Sequence, residues 1–353
     1  MRAGIRFDSR VTSALVDLSA LRAWLVAHAV PGLDDVEPLA DGSTRHRRFV
    51  PVRGGRTLLT VTLPPDSVGI PIIAAEGQPD AVAAVAAAVG RPDAVAAIAL
   101  GGRWLGLDLD PAGGVAALAA DPVVGPLVRA RPHLRVPGST DAFETAVLVV
   151  LGQHVSLAAG RVFAARLVAA HGTDPRAGCS GGRQGSRPGT QLEGLRTFPS
   201  AETLAAVDPV ELQRTVGITG ARARTVVAIA RAIADGALLL AAAPTTMRSQ
   251  EHFVDSGSDT ALTPRSAPDF ARTRAEMLAL PGVGPWTTDL VALRALRDPD
   301  VFLPGDLVLR KALGGVTARA AASIAEAWRP HRSLAVLHLW TAHALDPPPE
   351  PPR

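Results

Sequence analysis

Residues 280–290 read LPGVGPWTTDL. Two glycines flank a single valine, and a proline–tryptophan pair follows at once. DFARTRAEMLA (269–279) before this stretch and PWTTDLVALRALR (285–297) after it both carry helical spacing. Pro285 suits the first turn of the second helix, where its missing N–H costs nothing. Gly282 and Gly284 can take backbone angles closed to other residues and leave no side chain in the way. The stretch therefore predicts two helices joined by a tight turn. Amides in such a turn, with a helix N-terminus behind them, form a concave donor surface for an anion. A nucleic-acid phosphate suits that surface, which positions a backbone without reading its sequence.

A bare GxG between helices is also what a plain tight turn needs. LPGVG running into a helix is the helix-hairpin-helix pattern, which serves enzymes and non-enzymatic DNA-binding proteins alike. Downstream lies DVFLPGDLVLRKAL (300–313), in which Asp306 opens a helix carrying Arg310 and Lys311. Alone, Asp306 reads as an N-cap accepting from the first helical amides. Twenty-two residues past Gly284, on a loop between helices, it is also a candidate catalytic carboxylate.

Composition narrows the chemistry. The chain has 353 residues, 47% of them hydrophobic, so it can bury two or three cores. Its formal charge is +3, and arginine carries nearly all the positive charge because Lys311 is the only lysine. That balance permits a nucleic-acid partner without arguing for one. One cysteine, Cys179, excludes an internal disulfide framework, a Cys-rich zinc module and a four-cysteine iron–sulfur cluster. The histidines show no metal-ligand clustering. No apolar run reaches the ~18 residues of a membrane span, and the N-terminus has no signal-peptide pattern. The expectation is a soluble cytoplasmic protein with no membrane partner.

The chain divides by pattern. Residues 1–117 read as an α+β domain. SALRAWLVAHAV (19–30) has helical spacing, and RFVPVRGGRTLLTVTLPP (48–65) predicts two strands around a Gly-Gly turn, with Leu59, Val61 and Leu63 alternating. DAVAAVAAAVG (80–90) predicts a helix ending on a glycine cap. No chemistry is legible there. Residues 118–347 are mostly helical, including 141–172 as two helices broken near Gly152. Polar stretches at 173–192 and 244–268 read as flexible insertions, and 348–353 as a disordered Pro-rich tail.

LPGVGPWTTDLVALRALRDPDVFLPGDLVLRKAL (280–313) resembles the core of the helix-hairpin-helix DNA glycosylase superfamily, in particular the DNA-3-methyladenine glycosylase II (AlkA) family. ARPHLRVPGSTDAFETAVLVVLGQHVSLAAG (130–160), with its GQxVS signature, and EAWRPHRSLAVLHLW (326–340) are similar to that family's entry segment and closing helix. The N-terminal α+β region resembles the family's extra domain more weakly. The resemblance implies a two-lobed helical core after an α+β domain, and hydrolysis of the N-glycosidic bond of alkylated purines in duplex DNA after base flipping.

Residue by residue, the resemblance assigns catalysis to Asp306 and the substrate pocket to Trp286, Trp340, Leu290 and Leu307. DNA contact falls to Gly282, Val283, Gly284, Thr287, Gln153 and His154. Carbonyls around Leu278, Leu280 and Val283 would hold a monovalent cation, and no catalytic cofactor is implied. Relatives that also cleave the strand carry a nucleophilic lysine where this chain has Trp286, so a monofunctional enzyme without lyase activity is expected. Two departures stand out. The family often has tyrosine where this chain has Leu290 and Leu307, and the chain contains no tyrosine. His154 replaces an apolar wedge that fills the gap left by the extruded base. The expected partner is damaged double-stranded DNA, bound by a nucleoid-associated monomer. A glycosylase for deaminated purines and a non-catalytic hairpin DNA-binding protein remain as alternatives.

Overall fold

Strands β3 (Thr44–Val52) and β4 (Gly55–Leu63) pair antiparallel from Thr44↔Leu63 to Val52↔Gly55. Directly opposed residues share a face of the sheet, so Leu59, Val61 and Leu63 bury together as the alternation predicts. β2 (Asp34–Pro38) and β6 (Ile72–Ala75) complete a four-stranded sheet in the order β2-β3-β4-β6, and β1 (Val16–Asp17) pairs separately with β5 (Val68–Gly69). The helices Leu18–His28 and Pro92–Trp104 contribute Leu21, Trp24, Ala97 and Trp104 to the core on this sheet. The computed structural model describes residues 15–53, 55–75, 92–175, 194–240 and 269–345. The helix expected at 80–90, the 244–268 insertion, the Pro-rich tail, Cys179 and all but 173–175 of the first insertion lie outside these residues.

The rest of the described chain is helical. Asp141 caps Ala142–Leu151, accepting from the Glu144 amide, and Ser156 caps Leu157–His171, accepting from Ala159. The break between them falls at Gly152, as expected. Its short loop holds His154 at φ 54, in the left-handed region. One helical core joins these two helices to Pro209–Val216 and Gly220–Ala234 through Val147, Leu167, Leu212 and Val226. A second gathers Leu293, Phe302, Leu309, Trp328 and Val336 from the C-terminal segments. The core on the sheet also takes Leu134 and Leu337, so residues on both sides of position 117 share one apolar cluster.

The hairpin forms as expected at its first helix, Phe270–Leu278. Its second differs. Pro285–Val291 is α-helical, but Ala292–Leu296 winds as a π-turn that stops at Arg297 with φ 67. This wider segment is tied down by guanidinium groups: Arg294 reaches the carbonyls of Pro137 and Gly138, and Arg297 that of Val136. A single wide turn within a helix often marks a functional site.

Candidate active site

Asp306 is the N-cap of the helix Leu307–Ala312. Its Oδ1 accepts from the amides of Val308 and Leu309, both at 3.0 Å, and from Trp340 Nε1 at 3.2 Å. Both readings of this residue thus meet in one carboxylate, which caps a helix and faces a cavity. Among the described residues it forms no ion pair. Its charge is held by dipoles alone.

The cavity encloses about 400 Å³, and Asp306, Trp286, Leu290 and Trp340 all line it. The sequence-predicted wall is therefore assembled from three separate segments, with one exception. Leu307 is 66% exposed and does not line the cavity, whereas Val308 does. Capping by Asp306 fixes the helix start, and one residue of helix turns the side chain by roughly 100°. Leu307 consequently faces solvent.

The hairpin glycines separate into two kinds. Gly282 has φ 78, and a Cβ there would meet Thr225 Oγ1 at 2.0 Å. Gly284 is extended, with nothing within 4 Å of the position a Cβ would take. The amides of Gly282, Gly284, Trp286 and Thr287 donate to nothing among the described residues, but Val283 N already donates to the Leu280 carbonyl at 3.2 Å. Thr287 is buried at 3% exposure, so its side chain cannot meet a DNA backbone directly. It accepts instead from Gln153 Nε2 at 2.7 Å, and the same amide nitrogen donates to the Gly282 carbonyl at 3.3 Å. Arg222 in turn donates to the Gln153 carbonyl. Through their side chains Gln153 and Thr287 thus brace the hairpin from behind. His154, beside them, is exposed. The two hairpin helices are also linked by an Arg274–Asp289 ion pair.

Past the tryptophans the cavity runs into the N-terminal domain, whose chemistry was not legible from sequence. Trp24, His28, Asp34, His46, Arg48 and Trp104 line it, with Glu144, Arg161 and Arg294 from the helical core. Arg48 holds Glu144 through Nη2 at 2.6 Å and lies 3.5 Å from Asp34, which His46 Nε2 meets at 2.9 Å. The edge of Trp104 packs on His46 at 4.7 Å, and Arg48 lies 5.4 Å from the centre of its ring. Burial raises the Asp34 carboxyl, but Arg48 and His46 outweigh it and hold the group below its ordinary range. Burial pushes Glu144 up to about 7 against the pull of Arg48. A sequence signal for this cluster existed. His46 and Arg48 sit two apart on β3, directly opposite the buried Val61 and Leu59, which puts two polar residues on the buried face.

Trp24 carries two neighbours. His28 stacks on it at 4.1 Å and Arg294 lies 4.0 Å from its ring centre. Burial, aided by Arg294, pushes His28 down to about 3, so the ring is neutral near pH 7. Burial and the adjacent Arg297 also lower Arg294 from the ordinary arginine range.

In the hairpin turn, the Leu280 carbonyl accepts from Val283 N, while those of Leu278 and Val283 accept nothing among the described residues. No group of three or more His, Cys, Asp or Glu among the described residues suits a metal ion, and none of their helices is long and apolar enough to cross a membrane.

The AlkA N-terminal domain family matches residues 15–141. A relative from Mycobacterium tuberculosis strain CDC 1551, named a probable bifunctional transcriptional activator/DNA repair enzyme AlkA, is 35% identical over 96% of this chain. The chain spans 60% of that relative's length. DNA-3-methyladenine glycosylase 2 of Escherichia coli K12 is 31% identical, over 64% of this chain and 66% of its own length. In three dimensions the 3-methyladenine DNA-glycosylase of Archaeoglobus fulgidus shares the fold, with a TM-score of 0.62, 18% identity and coverage of 94% of this chain and 96% of that one.

Proposed function

The chain belongs to the AlkA family, and we propose that it hydrolyses the N-glycosidic bond of alkylated purines, such as 3-methyladenine and 7-methylguanine, in duplex DNA. The observation that carries this reading is Asp306, a carboxylate with no counter-cation among the described residues, at the wall of a cavity that two tryptophans also line. An extruded base would stack on Trp286 and Trp340. Alkylation at a ring nitrogen makes the base cationic, which favours aromatic faces and improves it as a leaving group.

Cleavage moves the bonding pair of the C1′–N bond onto the base and leaves positive charge on the sugar. Asp306 stabilises that charge, and a water oxygen then bonds to C1′ and releases its extra proton to solvent, the alkylated base having left as a neutral molecule. Because Oδ1 is held by two amides and an indole, the carboxylate is set in place before the charge develops. The lysine that a strand-cleaving route would use is missing from the hairpin. Trp286 occupies its place, and Lys311 is exposed and does not line the cavity. That arrangement supports a monofunctional, hydrolytic reading.

The open amides at Gly282 and Gly284 would take a phosphate of the DNA backbone, with a monovalent cation at the carbonyls of Leu278, Leu280 and Val283. We assign the exposed His154 to the gap left by the base. We further assign residues 1–117 to the N-terminal domain, residues 118–347 to the glycosylase core, and the protein to monomeric action on nucleoid DNA in the cytoplasm.

The test compares wild type with Asp306→Asn on dimethyl-sulfate-treated duplex DNA. Release of both methylpurines by wild type, with a loss of ~10²–10³ or more in the variant, is the expected result. Wild type that binds the duplex and releases neither base would overturn the assignment.

A further inference from the structure

Trp286, Leu290 and Arg294 follow one another at four-residue spacing along the hairpin's second helix and its π-turn, and all three line the cavity. The first two offer stacking surface, with the indole N–H of Trp286 as their one side-chain donor. Arg294 is different in kind. Its Nε donates to Pro137 O and its Nη2 to Gly138 O, each at 3.1 Å, and its guanidinium lies 4.0 Å from the centre of the Trp24 ring. Held by two carbonyls and an aromatic face, it has a fixed direction. Its Nη1 makes no hydrogen bond among the described residues, and no carboxylate pairs with it.

The neighbouring groups leave that donor unanswered. Both carboxylates at this end of the cavity, Asp34 and Glu144, are engaged by Arg48. His28 uses Nδ1 on the Trp24 carbonyl at 2.8 Å and is uncharged. Arg161 is a second cation, bonded through Nε to Ala29 O. This compartment thus holds a preorganised donor and spare positive charge, and no hydrogen bond among the described residues joins Arg294 Nη1 to an acceptor there.

We propose that Arg294 reads the extruded base by donating from Nη1 to a carbonyl oxygen on its edge, so that this site favours 6-oxopurines over 6-aminopurines. The inference rests on the glycosylase reading above. A 6-oxopurine, such as 7-methylguanine or hypoxanthine, brings an acceptor at position 6. A 6-aminopurine such as 3-methyladenine brings an N–H₂ donor to the same place. Two donors then face each other and neither is satisfied, the situation in which polar sites discriminate most strongly. Charge does not separate 7-methylguanine from 3-methyladenine, because both carry a cationic alkylated ring, so their comparison isolates the hydrogen bond.

The experiment measures 7-methylguanine and 3-methyladenine released from one dimethyl-sulfate-treated duplex, so each base controls for the other. Hypoxanthine in a synthetic duplex is a third substrate. Arg294→Met removes the donor, and Arg294→Lys keeps the charge but lacks the second and third nitrogens that grip the carbonyls and reach the base. The ratio of 7-methylguanine to 3-methyladenine release should fall by ~10–100-fold in the methionine variant. It should fall in the lysine variant too, which decides the matter if the methionine variant does not fold. Hypoxanthine release should fall with 7-methylguanine. A ratio that stays at the wild-type value in a folded variant overturns the role of Arg294 and leaves the glycosylase reading standing. Wild type that releases none of the three bases overturns both.

Discussion

Trp340 Nε1 donates to Asp306 Oδ1 at 3.2 Å, on the same oxygen that accepts the amides of Val308 and Leu309. One wall of the cavity therefore steadies the carboxylate that the other wall presents. Trp340→Phe keeps an aromatic face and removes this donor. Loss of a donor that presets the charge-stabilising carboxylate should slow single-turnover excision by ~10-fold or more. The same hydrogen bond, worth ~1.5–3 kcal/mol to folding, should lower the melting temperature as well. Equal rates would mean that Trp340 acts only by stacking.

The two hairpin glycines should respond in opposite ways. Gly282→Ala places a methyl group 2.0 Å from Thr225 Oγ1 at a backbone angle that side chains avoid. It should lower stability by ~2 kcal/mol or more, read from denaturant unfolding. Gly284→Ala meets nothing within 4 Å and should leave stability within ~1 kcal/mol of wild type. Duplex affinity should fall in Gly284→Ala, where the methyl group would stand between the amides and a phosphate. Comparable unfolding midpoints for the two variants would contradict the geometry.

Arg48 joins the N-terminal sheet to the helix Ala142–Leu151 through buried Glu144, 96 positions away in the chain. Removing one partner strands the other. Arg48→Met should cost ~3–5 kcal/mol, whereas Arg48→Met combined with Glu144→Leu should recover part of the loss. A double-mutant cycle on thermal or denaturant unfolding reads the difference. The single variant should also lose its unfolding cooperativity between sheet and helical core before the double variant does.

His338 is buried at 1% exposure, and neither ring nitrogen has a partner among the described residues. Burial pushes its pKa down to about 4, with Asp17 opposing and Arg131 assisting, from 6.5 in the unfolded chain. The folded state thus binds this proton less readily than the unfolded state. The stabilising difference is full above pH ~6.5 and is lost as pH falls toward 4, at up to ~1.4 kcal/mol per pH unit. His28, depressed to about 3, adds to the same acid limb. His338→Leu should raise stability at neutral pH and flatten the fall between pH 6.5 and 4. An unchanged slope would show that His338 does not titrate with unfolding.

The hairpin, the break at Gly152 and the cap at Asp306 were legible because each is a local demand on the backbone. A φ of 78 at Gly282, or two amides converging on Asp306 Oδ1, involves neighbours in sequence or a single turn. The tryptophan wall was legible only through resemblance, since Trp286 and Trp340 lie far apart in the chain and either could have been ordinary core. Leu307 was misplaced by one residue of helix, which no pattern of apolar residues resolves. The bond between the Thr287 and Gln153 side chains had no sequence signal because it spans 134 positions.

The sequence by itself determined where the backbone must turn, start and stop, and therefore that a hairpin and a capped aspartate would exist. Only the tertiary structure decided what surrounds them. The inner cavity needs β3, the helix Leu18–His28 and the π-turn to meet, which brings Arg48 to Glu144 and Arg294 to Trp24. Pairing of that kind carries no local signature, because burial and charge compensation depend on which distant segments come into contact.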